Sequence, residues 1–411
     1  MKRLSIRDLP VQGKKILMRV DFNVPLDNDF NVTDPSRIVA SLPSIQYLLE
    51  NEASIILMSH LGQPHGSPNP ELSLAPVAKV LGTLLEQKVI MAPDCVGQKV
   101  KDLVTALQPK EILLLENLRF HRAEESPGAK LLFAKELASF ADFYVDDAFG
   151  CAHRKHSSIT EVPKFFPNRS AAGFLLEKET SFLGDLLESP ERPFYAIIGG
   201  AKISSKIGVI KALLHKVDAF LIGGGMAFTF LKAQGKEIGN SLYEADLVSF
   251  AKEIIEVAQT KGIPVLLPID VVAARKMSDD AYPEIFSIEK GIPFERMGLD
   301  IGPETIEKFS QFLQAGKTVL WNGPLGVFEF TPFAKGTFSV AKILAALDGA
   351  TIVGGGDLIA AINLSGVAKS MTHISTGGGA TLEFIEHGSL PGLEALIANQ
   401  NEDLPNINFM T

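Results

Sequence analysis

Short unbroken apolar runs recur along the chain, each closing abruptly on polar residues or glycine and each followed by a longer segment with apolar residues at helical spacing. Runs over 16–20, 54–58, 88–91, 112–115 and 143–145 predict strands in the first part, and 194–198, 219–222, 264–267, 318–321, 351–353 and 373–375 predict strands in the second. Runs that do not alternate with polar residues belong to strands buried on both faces, as in a parallel sheet covered by helices. The number of runs exceeds what one small sheet holds. A chain of 411 residues, at roughly 150 residues per domain, likewise predicts two or three domains.

The two parts close their runs differently. In the first, the strands end in charged and polar groups: Asp21-Phe22-Asn23, Ser59-His60-Leu61-Gly62, Glu116-Asn117-Leu118-Arg119 and Asp146-Asp147. In the second they end in glycine: Gly199-Gly200-Ala201-Lys202, Gly223-Gly224-Gly225, Asn322-Gly323-Pro324, Gly354-Gly355-Gly356-Asp357 and Thr376-Gly377-Gly378-Gly379. Of 35 glycines, 7 fall in residues 1–172 and 28 in 173–411. Ligands of open α/β sheets bind outside the carboxyl ends of the strands, so two different ligand surfaces are expected. Between the parts, 161–168 reads as a proline-punctuated loop and 174–188 as an amphipathic helix carrying Leu175, Phe182, Leu183 and Leu186 on one face. That helix reads either as a hinge or as an ordinary connection.

Composition narrows the classes. Apolar residues make up 46% and charged residues 21%, ordinary globular usage. The excess of 48 Asp+Glu over 39 Lys+Arg, a net charge of -9, disfavours a general binder of nucleic acid or anionic membrane, so any anion site is local. Cys95 and Cys151 stand far apart without a zinc-type spacing, which points to a reducing, cytoplasmic setting. No signal peptide or membrane span is read.

Glycine turns between strand and helix let backbone approach a phosphate, and the first helical turn offers free N–H groups. None of these turns completes GxGxxG, and no GxxxxGK[ST] is present. Lys202 and Lys206, one helical turn apart, can address the same phosphate group, and Asp357 after three glycines suits Mg²⁺. In the first part Arg37, His60, Arg119 and Arg154 lie on loops or strand ends of an otherwise acidic protein, where arginine can grip carboxylate or phosphate. Asp21 and Asn23, two residues apart, share a side and suit a hydroxylated small molecule.

These motifs, in this order from Asp21-Phe22-Asn23-Val24-Pro25 to Ser375-Thr376-Gly377-Gly378-Gly379-Ala380, closely resemble those of the phosphoglycerate kinase family. Asp146-Asp147-Ala148-Phe149-Gly150, Ala152-His153-Arg154, Met297-Gly298-Leu299-Asp300-Ile301-Gly302-Pro303, Trp321-Asn322-Gly323-Pro324 and Gly326-Val327-Phe328-Glu329 add to the resemblance. It implies two Rossmann-like three-layer α/β/α domains with parallel sheets, joined by a bridging helix and hinge. The phosphoglycerate domain would be 1–172, with a 393–411 tail packed back on it, and the nucleotide domain 173–392. It implies a monomer that transfers a phosphoryl group reversibly between ATP and 3-phosphoglycerate, giving ADP and 1,3-bisphosphoglycerate, with Mg²⁺. Carried over by motif, Asp21, Asn23, Arg37, His60, Leu61, Gly62, Gln63, Arg119 and Arg154 would hold the phosphoglycerate. Lys202, Lys206, Gly298, Glu329, Gly355, Gly356, Asp357 and Leu358 would hold the nucleotide, with Glu329 at the ribose and Asp357 at the metal.

Two positions depart from the family pattern. Gln63 stands where Arg is usual, and Leu358 where Ser or Thr is usual. Each loss is worth about 1.5–3 kcal/mol if the missing bond was to a charged group, which raises a weakened relative as an alternative. The four remaining cationic substrate residues favour retained activity. The acceptor carboxylate is ionised at neutral pH, so no general base is needed. The reaction requires positioning and charge neutralisation instead, which the reading assigns to Arg37, Lys202, Mg²⁺ and the helix starts at Gly356 and Gly378. A nicotinamide-dependent dehydrogenase shares the βα rhythm but not the missing fingerprint, and an exported clamshell binding protein would carry a signal peptide. Cys151 reads as a packed residue rather than a reactive thiol.

Overall fold

The computed structural model describes residues 4–126 and 130–398. The described chain divides into two compact units, one running to Phe182 and resuming at Ser389, the other Leu183–Gly388. The division falls inside the helix Phe174–Glu188.

The first unit is built on strands β1 (Lys15–Arg19), β2 (Ser54–Met58), β3 (Val89–Met91), β4 (Ile112–Leu114), β5 (Phe143–Asp146) and β6 (Ser170–Ala172). They form one sheet of order β3-β4-β2-β1-β5-β6, and every pairing is parallel. Successive side chains point to opposite faces. Ile16, Met18, Ile55, Leu57, Ile112 and Leu114 therefore join one core with Ile38, Ile45 and Leu48 of the helix Ser36–Glu50. Leu17, Ile56 and Leu113 are equally buried on the other face. The final described helix, Pro391–Ala398, packs on the turn Ser157–Glu161 of this unit; the rest of the expected returning tail, 399–411, lies outside the described residues.

The second unit carries β7 (Phe194–Ile198), β8 (Ala219–Ile222), β9 (Val265–Leu266), β10 (Asp270–Ala274), β11 (Glu284–Ser287), β12 (Met297–Ile301), β13 (Thr318–Asn322), β14 (Ala350–Gly354) and β15 (His373–Ile374). Its main sheet, of order β15-β14-β13-β7-β8-β9, is again parallel throughout. Tyr195, Ile197, Val319, Trp321 and Val353 share a core with Phe309, Leu313, Val340 and Leu358. Strands β11-β10-β12 make a separate antiparallel sheet.

Three expectations change. The apolar runs did not reveal β6 or the antiparallel sheet. The stretch read as a loop over 161–168 contains the helical turn Val162–Phe165 directly after Ser157–Glu161. In the helix Phe174–Glu188 the buried face carries Leu176, Leu183, Leu186 and Leu187, while Leu175 is only half-buried.

Candidate active-site surfaces

Neighbouring strands in the order β4-β2-β1-β5 deliver the polar residues at the carboxyl edge of the first sheet. Asp21 and Asn23 follow β1, His60 to Gln63 follow β2, Arg119 follows β4, and the loop to Arg154 follows β5. Arg37 comes from the first turn of the helix Ser36–Glu50 and donates to Asp21 Oδ2 at 2.5 Å. Asp21 Oδ1 accepts from the Asn23 backbone N–H at 3.2 Å. Asn23 Oδ1 accepts the Gly62 N–H at 2.9 Å, and the Gly62 carbonyl accepts from Arg119 at 2.8 Å. One residue, Gly62, thus ties together the ends of β1, β2 and β4. Glycine suits this position, because φ is +60° and a Cβ would lie 2.7 Å from Leu72 Cδ2, so a side chain would strain the backbone and displace Leu72. Gln63 and Arg154 are exposed. Leu61 is buried in the core, so it offers a ligand only its backbone, and its carbonyl already accepts from Asn117 Nδ2 at 2.7 Å.

His60 departs from the expected cationic set. It is 5% exposed, and burial, reinforced by Arg19, Arg119 and Arg37, holds its pKa well below the usual imidazole value. The ring is neutral at neutral pH, which leaves Arg37, Arg119 and Arg154 as the cations of this surface. Cys151 is packed beside it, and burial pushes its thiol up to about 12. That agrees with the inert reading, since a reactive cysteine needs thiolate.

In the second unit, Lys202 is exposed just beyond β7, and Lys206 lies further along the same turn. The Lys206 ammonium donates to Asn322 Oδ1 at the end of β13, and Asn322 Nδ2 donates to the Gly354 carbonyl at the end of β14, 2.9 Å away. Burial lowers the Lys206 pKa to about 8 against the opposing pull of Asp357. A cavity of about 530 Å³ opens beside these strand ends and is lined by Phe228, Gly298, Asp300, Val327, Glu329 and Asp357 among others. Its apolar walls and few polar groups suit a base and ribose. Asp357 is exposed in the first turn of the helix Gly356–Leu364. Leu358, one residue on, is fully buried in the core, so like Leu61 it meets a ligand only through backbone.

Several glycine turns allow close packing of backbone on backbone beside the cavity. A Cβ on Gly224 would stand 2.7 Å from the Gly200 backbone and 2.8 Å from the Pro324 carbonyl, so the turns after β7, β8 and β13 interlock. Gly356 and Gly378 have open space around them and start helices. The sequence reading assigned no role to Asn322, Phe228 or Asp300. Asn322 stood inside a quoted motif at a strand end, which was the available signal.

A parallel α/β unit edged with arginines, together with another that has a cavity at its strand ends, is an arrangement that suits a nucleotide-dependent phosphotransferase of the α/β class. The family model described as phosphoglycerate kinase matches residues 6–388. Phosphoglycerate kinase of Moorella thermoacetica is 54% identical over 398 residues, covering 96% of this chain and 99% of that protein. That of Koribacter versatilis is 52% identical over 403 residues, covering 96% and 99%. The solved phosphoglycerate kinase of Coxiella burnetii superposes with a TM-score of 0.86 at 36% identity, covering 97% of this chain and 100% of that one.

The chain belongs to the phosphoglycerate kinase family, and its reaction is reversible phosphoryl transfer between ATP and the carboxylate of 3-phosphoglycerate. Nothing in the comparisons favours a weakened relative. No helix among the described residues is long and apolar enough to cross a membrane.

Proposed function

We propose that the first unit binds 3-phosphoglycerate through Asp21, Asn23, Arg37, His60, Arg119 and Arg154, with the Leu61 and Gly62 backbone and Gln63 alongside. The second binds the nucleotide through Lys202, Lys206, Gly298, Glu329 and the Gly355 to Leu358 turn. The observation that carries this reading is the cavity shared by Gly298, Glu329 and Asp357 at the carboxyl edge of a parallel sheet.

The substrate carboxylate is already ionised at neutral pH, so Arg37 and Lys202 act by orienting oxygens and offsetting charge rather than by moving protons. The helix starts at Gly356 and Gly378 add backbone donors and the positive ends of their dipoles. Asp357 fits Mg²⁺: it is an exposed carboxylate lining the cavity, and this cation takes a carboxylate oxygen or two together with substrate phosphates. Bound there, the metal supplies charge neutralisation on the nucleotide phosphates. Transfer requires the two substrates to meet with water excluded, so the two units close about the bridging helix during turnover. The protein works as a cytoplasmic monomer in glycolysis, a setting in which the free thiols of Cys95 and Cys151 stay reduced.

A coupled assay with ATP, 3-phosphoglycerate and Mg²⁺ tests the assignment. Lys202→Ala is expected to lower turnover at least a hundredfold, about the contribution of one charge-stabilising donor, with both substrates still bound. Unchanged turnover removes Lys202 from the reaction, and activity unaffected by a chelator removes the metal.

A further inference from the structure

Beneath the Asp21 and Arg37 surface runs a chain of buried polar groups that the reading above leaves unused. Glu124 is wholly buried. Its Oε2 accepts the Ser158 N–H at 3.0 Å and its Oε1 accepts the Ser158 hydroxyl at 2.6 Å. Ser158 Oγ, its proton committed to Glu124, accepts from Arg19 Nε at 2.9 Å. Arg19 is 1% exposed and so cannot itself meet a ligand; it donates to the Val20 carbonyl and directs its remaining nitrogen at His60 Nδ1, 3.3 Å away.

A guanidinium has five donors and no acceptor. Wherever it bonds an imidazole nitrogen, that nitrogen carries a lone pair. The other neighbours of Nδ1 make weaker contacts. Cys151 Sγ stands 3.8 Å away, and a thiol is a poor donor and a poor acceptor. Asp21 Oδ1, at 3.9 Å, lies beyond hydrogen-bond distance. Further charges facing the ring come from Arg37 and Arg119; His156, 3.8 Å from Glu124, is neutral because burial lowers its pKa to about 3.

We propose that Glu124, Ser158 and Arg19 act as positioning residues, a one-way chain of donors that fixes His60 as the neutral Nε2–H tautomer. His60 then meets the acid substrate as a directed hydrogen-bond donor, neither as a cation nor as a base. The last step rests on the reading of His60 as a phosphoglycerate contact; the tautomer itself does not.

The test is nitrogen-15 spectroscopy of histidine-labelled enzyme at neutral pH, with His60 assigned by its loss in His60→Gln. An unprotonated Nδ1 and a protonated Nε2 are expected. A protonated Nδ1, in either the other tautomer or the imidazolium, overturns the proposal without any further variant. Ser158→Ala and Glu124→Gln are expected to mix the tautomers and raise KM for 3-phosphoglycerate on the order of tenfold, the worth of one hydrogen bond to a charged group, with kcat changed less. Ser158→Thr, which keeps the hydroxyl, restores both readouts. Tautomer and KM both unmoved in folded Ser158→Ala overturn the chain. A tautomer that is fixed and then lost, with no response of the Nε2 signal to 3-phosphoglycerate, supports the chain and instead removes His60 from the substrate surface.

Discussion

Lys206 and Asn322, 116 residues apart, are joined by a hydrogen bond from the lysine ammonium to the amide oxygen over the ends of β13 and β14. The same amine has a pKa lowered to about 8 by burial. In the free enzyme its charge is therefore full at pH 7 and fades as pH rises through about 8. Nucleotide phosphate favours the charged form and raises that pKa on binding. ADP affinity is accordingly expected to be flat below pH 7 and to fall above pH 8 by up to about tenfold per pH unit, measured by titration calorimetry. Lys206→Arg, permanently charged, flattens that decline, and Lys206→Met removes it together with much of the affinity. An affinity unchanged to pH 9.5 in the wild type would separate Lys206 from the phosphates.

Gly298 faces Phe228 so closely that a Cβ added to it would stand 2.1 Å from Phe228 Cζ. Both residues line the cavity and both are buried. Gly298→Ala must displace the ring, which lines the space assigned to the nucleotide. KM for ATP is expected to rise on the order of tenfold, the cost of about 1–3 kcal/mol for overpacking, while KM for 3-phosphoglycerate stays within twofold. Phe228→Leu in the same chain is expected to recover most of the loss, because the two changes share one contact and are not additive.

How much of this could be read along the chain depends on burial. The runs 54–58, 194–198 and 219–222 coincide with β2, β7 and β8, because a strand covered on both faces must be continuously apolar. β11 is half-exposed, with glutamate and serine at its ends, and β12 carries Gly298 and Asp300 within it. Neither offers such a run, so the antiparallel sheet stayed hidden. The site divides along the same line. Asp21, His60 and Arg119 stand out as polar residues closing apolar runs. The neutrality of His60 does not, because it arises from burial and from Arg19, Arg119 and Arg37, which only the fold brings to the ring, Arg19 across 41 positions of chain.

Asp300 is a buried acid on β12 whose two oxygens accept the Ile301 N–H at 2.9 Å and the Gly336 N–H at 2.6 Å. Burial outweighs these bonds and raises its pKa to about 8. Being protonated more readily when folded, it contributes stability that is full below the unfolded value near 4 and is lost as pH rises through about 8. Asp300→Asn cannot satisfy both N–H groups and is expected to be less stable at pH 5 by about 1–3 kcal/mol. Its deficit should shrink as pH rises toward 8, because only the wild type carries the titrating group. Denaturant unfolding at three pH values checks this, and a deficit independent of pH would mean that Asp300 stays ionised in the fold.

Leu358 and Gln63 depart from the family pattern in opposite physical settings, so restoring the usual residue is expected to act in opposite ways. Leu358 is fully buried among Trp321, Val353 and Ile362. Leu358→Thr puts a hydroxyl into that core and removes volume, at a cost of about 1–3 kcal/mol in unfolding free energy, and it does not raise turnover because the side chain points away from the ligand surface. Gln63 is exposed beside Gly62, which ties Asn23 to Arg119. Gln63→Arg leaves stability within about 0.5 kcal/mol. It is expected to lower KM for 3-phosphoglycerate by no more than about tenfold, with the gain shrinking in high salt, since an exposed cation is screened. Steady-state kinetics at two ionic strengths, run beside denaturant unfolding of both variants, separates these outcomes. A turnover gain in Leu358→Thr would show that the hydroxyl reaches the nucleotide after all and that the core position assigned to residue 358 is wrong.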